Sequence, residues 1–535
     1  MKKIIYIFFF LSALFLTGCD VDVENPNTTT VESFWKTEND AKNGINAVYN
    51  YFYKPDTFSR WMWFRLDLTS DEGCSESPWA ELKEWTRFTY NNYNFGEGNS
   101  GTYGACYRAI FRANQVLHYV PDIEFKDENN KNQILAQAHF LRGLYYYYLG
   151  LLWGSNEKSL AIILEPSTPA MRPEGHTGTE VYEQAIADFT EAVKYLPEEW
   201  TGDEKGRATK GAAYAFRAKV YMQMHKWEEA KADLHWLVEG EGRKYYGLTT
   251  NYFDNFNGNE NNIESVFEIQ YSDIYGSPAG DGDYDVDPNL GLNRGKFFAP
   301  PSIGWTDGEL RPWLIEEFKK EKDVNGGYDI RLKYTAFYEE MHNDFPNNDR
   351  IYGRLSGFQK TGENGNANPD VDTWGLDNWK GRVFFRKYGA DYYRDYDDYY
   401  NKTNVRLIRF ADVLLMYAEC IVESGGSVST AVGYVNTVRA RVNMPALAVN
   451  HSAAASGKDA FLKQLQMERV HELATEGHRW GDIKRWGLLD NQAGIDELKS
   501  RDPDFNNFKA DRHSCLPIPS SEVKNNSNIS QNPNY

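Results

Sequence analysis

The chain has 535 residues, 41% of them hydrophobic, and a formal net charge of −19. That length and apolar content suffice for a large core, while so acidic a chain is poorly suited to bind nucleic acid or anionic lipid through charge, because phosphate contacts need Lys and Arg. Aromatic residues make up 15%, including 36 Tyr and 15 Trp, enough to expect some of them to face solvent or a ligand.

The first segment reads as an export signal. Lys2 and Lys3 precede an apolar run from Ile4 to Leu16 that is too short to span a bilayer. Leu16-Thr17-Gly18-Cys19 looks like a bacterial lipobox, in which the peptide is cut before Cys19 and the cysteine is lipidated. Several acyl chains, at about 0.8 kcal/mol per buried methylene, anchor such a chain stably in a membrane. Asp20, Asp22 and Glu24 resemble the acidic signal that sends lipoproteins to the cell surface in Bacteroidetes-type bacteria. The polar stretch 19–30 reads as a tether.

Helical signals follow. "TENDAKNGINAVYNYFY" begins with a Thr37 cap and places Ala41, Ile45, Val48 and Phe52 at helical spacing. "CYRAIFRANQVLHYV" predicts a helix ended by Pro121, and "NQILAQAHFLRGLYYYYLGLLWG" another with Leu135, Ala138, Leu141, Leu144, Tyr145 and Tyr148 on one side. "TEVYEQAIADFTEAVKYLP" stops at Pro197, and 209–239 predicts two helices broken near Lys226-Trp227. The small Ala213 and Ala218, then Tyr221, Trp227 and Ala230, resemble the tetratricopeptide repeat, in which small residues let paired helices approach closely. Residues 241–404 lose helical periodicity and are rich in Gly, Asn, Asp and aromatics, with strand-like pieces such as "SVFEIQY". Helical patterns return at 405–424, 428–443 and 459–486. The expected architecture is therefore all-α, tetratricopeptide-like helical repeats at 31–240 and 405–535 around a loop-rich insertion at 241–404, in one domain spanning 31–535 after a signal peptide at 1–18.

Two groups of residues invite a chemical reading and do not sustain it. Cys74, Cys106, Cys420 and Cys515 lack any CxxC or His-paired spacing, so no zinc site is expected; three disulfide pairings are open and the sequence selects none. "HELATEGHRWGDIKRWG" at 471–487 is dense in acids, bases and histidines. His471 and His478 are seven apart, not the four of a metalloprotease helix. Glu472 and Glu476, one turn apart on one helix, would point the same way, whereas glycoside hydrolysis needs carboxylates on opposite sides of a bond. Arg469–Glu472, Glu476–Arg479, Arg479–Asp482 and Asp482–Arg485 are spaced for ion pairs along a helix, so structure rather than catalysis is expected.

"MERVHELATEGHRWGDIKRWG" closely resembles the C-terminal helix signature of SusD/RagB-family outer-membrane lipoproteins. "FWKTENDAKNGINAVYN", "AQAHFLRGLYYYYLGLLWG", "TKGAAYAFRAKVYMQMHKWEEA", "VRLIRFADVLLMYAEC", "YVNTVRARVNMP" and "CLPIPSSEVKNNSNISQNPNY" resemble the family's other blocks, in the same order. Gly481 stands where an aromatic is common and Cys420 where Ala is common. The resemblance implies a SusD-like fold and a non-enzymatic cell-surface protein, lipid-anchored in the outer membrane. Such a protein captures oligo- or polysaccharide and passes it to a SusC-like TonB-dependent transporter; a lid capturing peptide or another nutrient is the alternative. No cofactor is implied.

Sugar rings present C–H faces that stack on aromatic rings, and hydroxyls that need polar partners. Loop stretches carrying both supply the candidates Trp79, Trp85, Tyr275, Trp305 with Asp307, Trp313 and Trp374, with Trp379 as a further one. Asp281, Asp283, Asp285 and Asp287 alternate like a calcium loop, but Val286 and Leu292 occupy the positions where an EF-hand needs Gly and Glu, so a solvated loop is expected. "DYYRDYDDYY" at 391–400 is a polar aromatic surface of open role.

Overall fold

The computed structural model describes residues 34–90, 96–273, 290–301, 303–346, 350–355, 358–359, 374–375 and 380–535. Cys19, Tyr275, Trp379 and the alternating aspartates at 281–287 lie outside them, and for Trp374 only the backbone is described.

Helix α1 (Glu38–Tyr49) starts at the predicted cap: Thr37 and Asp40 satisfy each other's backbone N–H groups, and Ala41, Ile45 and Val48 face the core. Phe52 is also buried, but from the 3-10 turn that follows rather than from the helix. Then come α2 (Trp61–Leu68), α3 (Ala80–Thr86), α4 (Thr102–Tyr119) and α5 (Glu128–Trp153). Every residue of α5 from Phe140 to Trp153 is buried. The expected one-sided stripe is therefore too narrow: this helix is wrapped on all sides, and its tyrosines find partners inside, as Tyr146 does by donating to Ile163 O at 2.9 Å.

Helices α6 (Gly178–Tyr195), α7 (Lys210–Gln223) and α8 (Trp227–Val238) continue as antiparallel neighbours. His225, in the left-handed region at φ 55°, makes the turn between α7 and α8. Ala212, Ala213, Ala215 and Ala218 are fully buried where α7 meets its neighbours, since short side chains allow close approach. Helix α8 packs directly on α12 (Phe410–Glu423), which pairs with α13 (Val428–Arg441). Early and late repeats thus form one continuous stack.

The segment between them leaves and returns through a two-stranded sheet. Strand β1 (Gly73–Cys74) belongs to the first part of the chain; β2 (Ser265–Ile269) and β4 (Val405–Arg409) pair antiparallel, Val405 opposite Ile269. Residues 405–409, expected to open a helix, are therefore a strand, because β2 supplies the hydrogen-bonding edge and all five residues are buried between layers. Between β2 and β4 lie β3 (Glu309–Leu310) and the short helices α9 (Arg294–Phe298), α10 (Trp313–Lys319) and α11 (Ile330–Thr335).

The predicted 459–486 helix is two helices, α14 (Lys458–Leu473) and α15 (Arg479–Arg485), meeting at a corner. Thr475 and Gly477 there have φ of 68° and 77°. The carbonyls and amides freed by the break are taken up from distant segments. Lys387 donates to the carbonyls of Glu472 and Ala474, Arg294 to that of Thr475, and Asp67 accepts from Gly477 N at 2.9 Å. No helix among the described residues is long and apolar enough to cross a membrane.

Candidate functional site

The carboxylates and guanidinium groups of the charged stretch at the corner are paired inside the protein. Arg409 pairs with Glu264 and Glu476 at 2.7 Å and with Glu472, while Arg331 binds Asp329, Glu468 and Glu472. Arg469 bridges Asp412 and Asp482, and Arg479 grips Asp71 at 2.7 Å. Of the four pairs expected along one helix, Asp482–Arg485 forms, at 2.7 Å; the other residues pair instead with partners on other elements. Burial alone would raise the Glu468 and Glu476 carboxyls, but the cations around them outweigh it and hold both at about 2. Burial, assisted by the Lys219 ammonium, drops His478 to about 4. Acids locked as carboxylates and a neutral, buried imidazole are unsuited to proton transfer near neutral pH. Among the described residues no group of three His, Cys, Asp or Glu side chains could hold a metal, and Cys74, Cys106, Cys420 and Cys515 are buried free thiols.

A different arrangement forms where β1 and β3 pair, Gly73 opposite Leu310 and Cys74 opposite Glu309. This pairing sets the loop carrying Trp79 beside the loop carrying Trp305. The Ser77 hydroxyl donates across the gap to the Asp307 carboxylate, and Ser77 Oγ accepts from Trp79 N at 3.0 Å. Asp307 is only 5% exposed. Burial raises its carboxyl to about 6 against the opposing pull of the Ser77 hydrogen bond and the Arg60 charge. It is a tie between the two loops, not the outward sugar partner expected of it.

The rings sort by depth. Trp85 is 1% exposed, edge-on to Trp61 at 5.6 Å and covered by the Arg65 guanidinium, so it offers no face to a ligand. Trp313 is part-buried at the start of α10, its indole N–H donating to Asp71 O and its ring covered by Arg501 at 5.1 Å. Both are packing residues. Trp79 is half-buried, with its ring 4.9 Å from Trp61 at 71°. Trp305 is 46% exposed, standing edge-on to Phe297 at 5.1 Å and to Tyr399 at 5.8 Å. The Arg60 guanidinium lies 5.5 Å from the Trp61 ring and 5.1 Å from Phe297.

One aromatic band therefore runs from Trp79 through Trp61, Arg60, Phe297 and Trp305 to Tyr399. Beyond it, Arg394 stacks on Tyr393 and the exposed Tyr396. Sequence reasoning missed Arg60, Phe297 and Tyr399; the Tyr-rich run at 391–400 was the available signal for the last. Elsewhere among the described residues lie a cavity of ≈ 490 Å³ between α4 and the C-terminal segment and one of ≈ 320 Å³ beside Trp200 and Tyr245. Neither contains a predicted site residue.

Residues 237–535 match the family model described as the SusD family, and residues 21–222 match one described as starch-binding associating with outer membrane. The chain belongs to the SusD family. It is 27% identical over 560 residues to SusD-like protein P2 of Formosa agariphila, covering the whole of both chains. It is 25% identical over 502 residues to the starch-binding protein SusD of Bacteroides thetaiotaomicron, covering 86% of this chain and 84% of that one. Among solved structures, a laminarin-binding SusD-like protein aligns with a TM-score of 0.72 at 27% identity, over 94% of this chain and all of that one. A SusD superfamily protein from Bacteroides vulgatus shares the fold, with a TM-score of 0.74 at 24% identity over 93% and 99% of the two chains. Proteins of the SusD family are binding proteins rather than enzymes.

Proposed function

We propose that this SusD-family chain is a cell-surface lipoprotein that binds oligo- or polysaccharide without turnover. In this reading it is anchored in the outer membrane through Cys19 and delivers its ligand to a SusC-like TonB-dependent transporter. Residues 1–18 are removed on export, 19–30 form the tether, and 31–535 act as one domain. The observation that carries the binding reading is the pair of surface tryptophans, Trp305 open to solvent and Trp79 half-open, joined beneath the surface by the buried Trp61, Arg60 and Phe297. An exposed, rigidly held indole stacks on the C–H face of a sugar, and a shallow platform accepts a long polymer. Two relatives, a laminarin-binding SusD-like protein and the starch-binding protein SusD, support the ligand class.

Calorimetry of the protein lacking residues 1–18 against laminarin, starch and a panel of plant, host and microbial glycans tests this. Binding is expected with no new reducing ends, and Trp305→Ala is expected to weaken it roughly tenfold while leaving the melting temperature in place. Silence toward every glycan would sink the proposal; saturation by peptides instead would make the chain a peptide-capture protein.

A further inference from the structure

Resting on the reading of the Trp305 band as a glycan platform, the geometry points to the charge of the glycan. We propose that the preferred ligand carries an anionic substituent, a uronate carboxylate or a sulfate ester, and that Lys296 selects for it.

Helix α9 is locked against the body of the protein. Arg294 is buried, pairs with Asp67 at 3.1 Å and donates to Thr475 O at 2.6 Å. Gly295 lies so close to the Asp397 carboxylate that no Cβ would fit. Phe297 and Phe298 are buried as well, which leaves Lys296 as the partly exposed residue of the helix. The Lys296 carbonyl accepts from Trp305 N at 2.8 Å, so backbone geometry fixes the exposed indole beside this lysine. Lys296 Nζ stands 5.8 Å from the Trp305 ring centroid.

No carboxylate among the described residues pairs with Lys296. Other cations of the neighbourhood are engaged: Arg394 with Asp398 at 3.0 Å and Lys402 with Asp273 at 3.6 Å. Asp307, two residues beyond Trp305, is turned inward to Ser77. A neutral sugar stacked on Trp305 offers the ammonium no counter-charge of its own, whereas an anionic substituent at the ring edge makes a charge-assisted contact. The net charge of −19 does not forbid this, because at physiological salt charges beyond about 8 Å are largely screened.

The test compares the protein lacking residues 1–18 with its Lys296→Gln, Lys296→Arg and Trp305→Ala variants. The probes are laminarin and starch as neutral polymers, polygalacturonate as the uronate arm, and dextran sulfate as the sulfate arm. Wild type is expected to prefer one of the anionic arms, with a preference that weakens as salt is raised. Lys296→Gln is expected to lower the anionic-to-neutral affinity ratio by about three- to tenfold, and Lys296→Arg to restore it. The inference is overturned if Lys296→Gln keeps the wild-type ratio or if neutral polymers bind best, even while Trp305→Ala weakens binding. If instead Trp305→Ala binds every polymer as wild type does, the platform reading itself fails and takes the inference with it.

Discussion

At the scale of single residues, Trp85 and Trp305 show what decides between packing and display. Both are tryptophans among polar neighbours in the sequence. Trp85 is covered because α2 brings Trp61 and Arg65 over its ring; Trp305 stays open because its loop is pinned edge-on to α9. Nothing local to either residue carries that difference. Asp307 makes the same point for a polar group. It reads as a sugar ligand and is instead the acceptor of the Ser77 hydroxyl. Asp307→Ala leaves that buried hydroxyl without its acceptor, at a cost of about 1–3 kcal/mol. The expected outcome is a lowered melting temperature together with weaker glycan binding, because the loops bearing Trp79 and Trp305 lose their tie. Unchanged calorimetric affinity in a folded Asp307→Ala variant would remove the tie from the account of the site.

At the scale of elements, helix existence was legible from apolar spacing, caps and stops, as in α1 with Thr37 and α6 with the Pro197 that ends it. The corner between α14 and α15 was not. Its periodicity runs on through 459–486, and the break is stabilised by Lys387, Arg294 and Asp67 from far along the chain. The local clue was Gly477, whose φ of 77° suits glycine. A Cβ at that position would also press on Trp63 and Leu66 at 3.2 Å. Gly477→Ala is accordingly expected to cost about 1–2 kcal/mol, read as a lower midpoint in denaturant titration with an unchanged slope. The strand at 405–409 escaped for a related reason: its partner edge at 265–269 is over a hundred residues away.

At the scale of the whole molecule, the buried ion-pair network joins the late repeats to the loop-rich segment through Arg331, Arg409 and Lys387. Breaking a buried pair from one side leaves an uncompensated charge. Glu472→Gln, facing Arg331, Arg409 and Arg441, is therefore expected to cost about 3–5 kcal/mol, measured by chemical denaturation. The same carboxylates set the acid limit of the fold. Glu468 and Glu476 are held at about 2, and Glu472 lower still, from an ordinary value of 4.5. Their folded values lie below their unfolded ones, so their stabilisation is complete above pH 4.5 and is lost as pH falls from there toward 2. Melting temperature followed against pH is expected to drop steeply across that window; a flat profile would show that the network adds little to stability. The sequence by itself determined the family, the helical scaffold and the presence of more aromatics than a core needs, because periodicity, caps and ordered motif blocks are written in neighbouring residues. Which tryptophans display their faces, where the long C-terminal helix breaks, and that Trp79 and Trp305 share one band were decided only by tertiary structure, because burial and ion pairing depend on contacts between separate elements, some of them hundreds of positions apart.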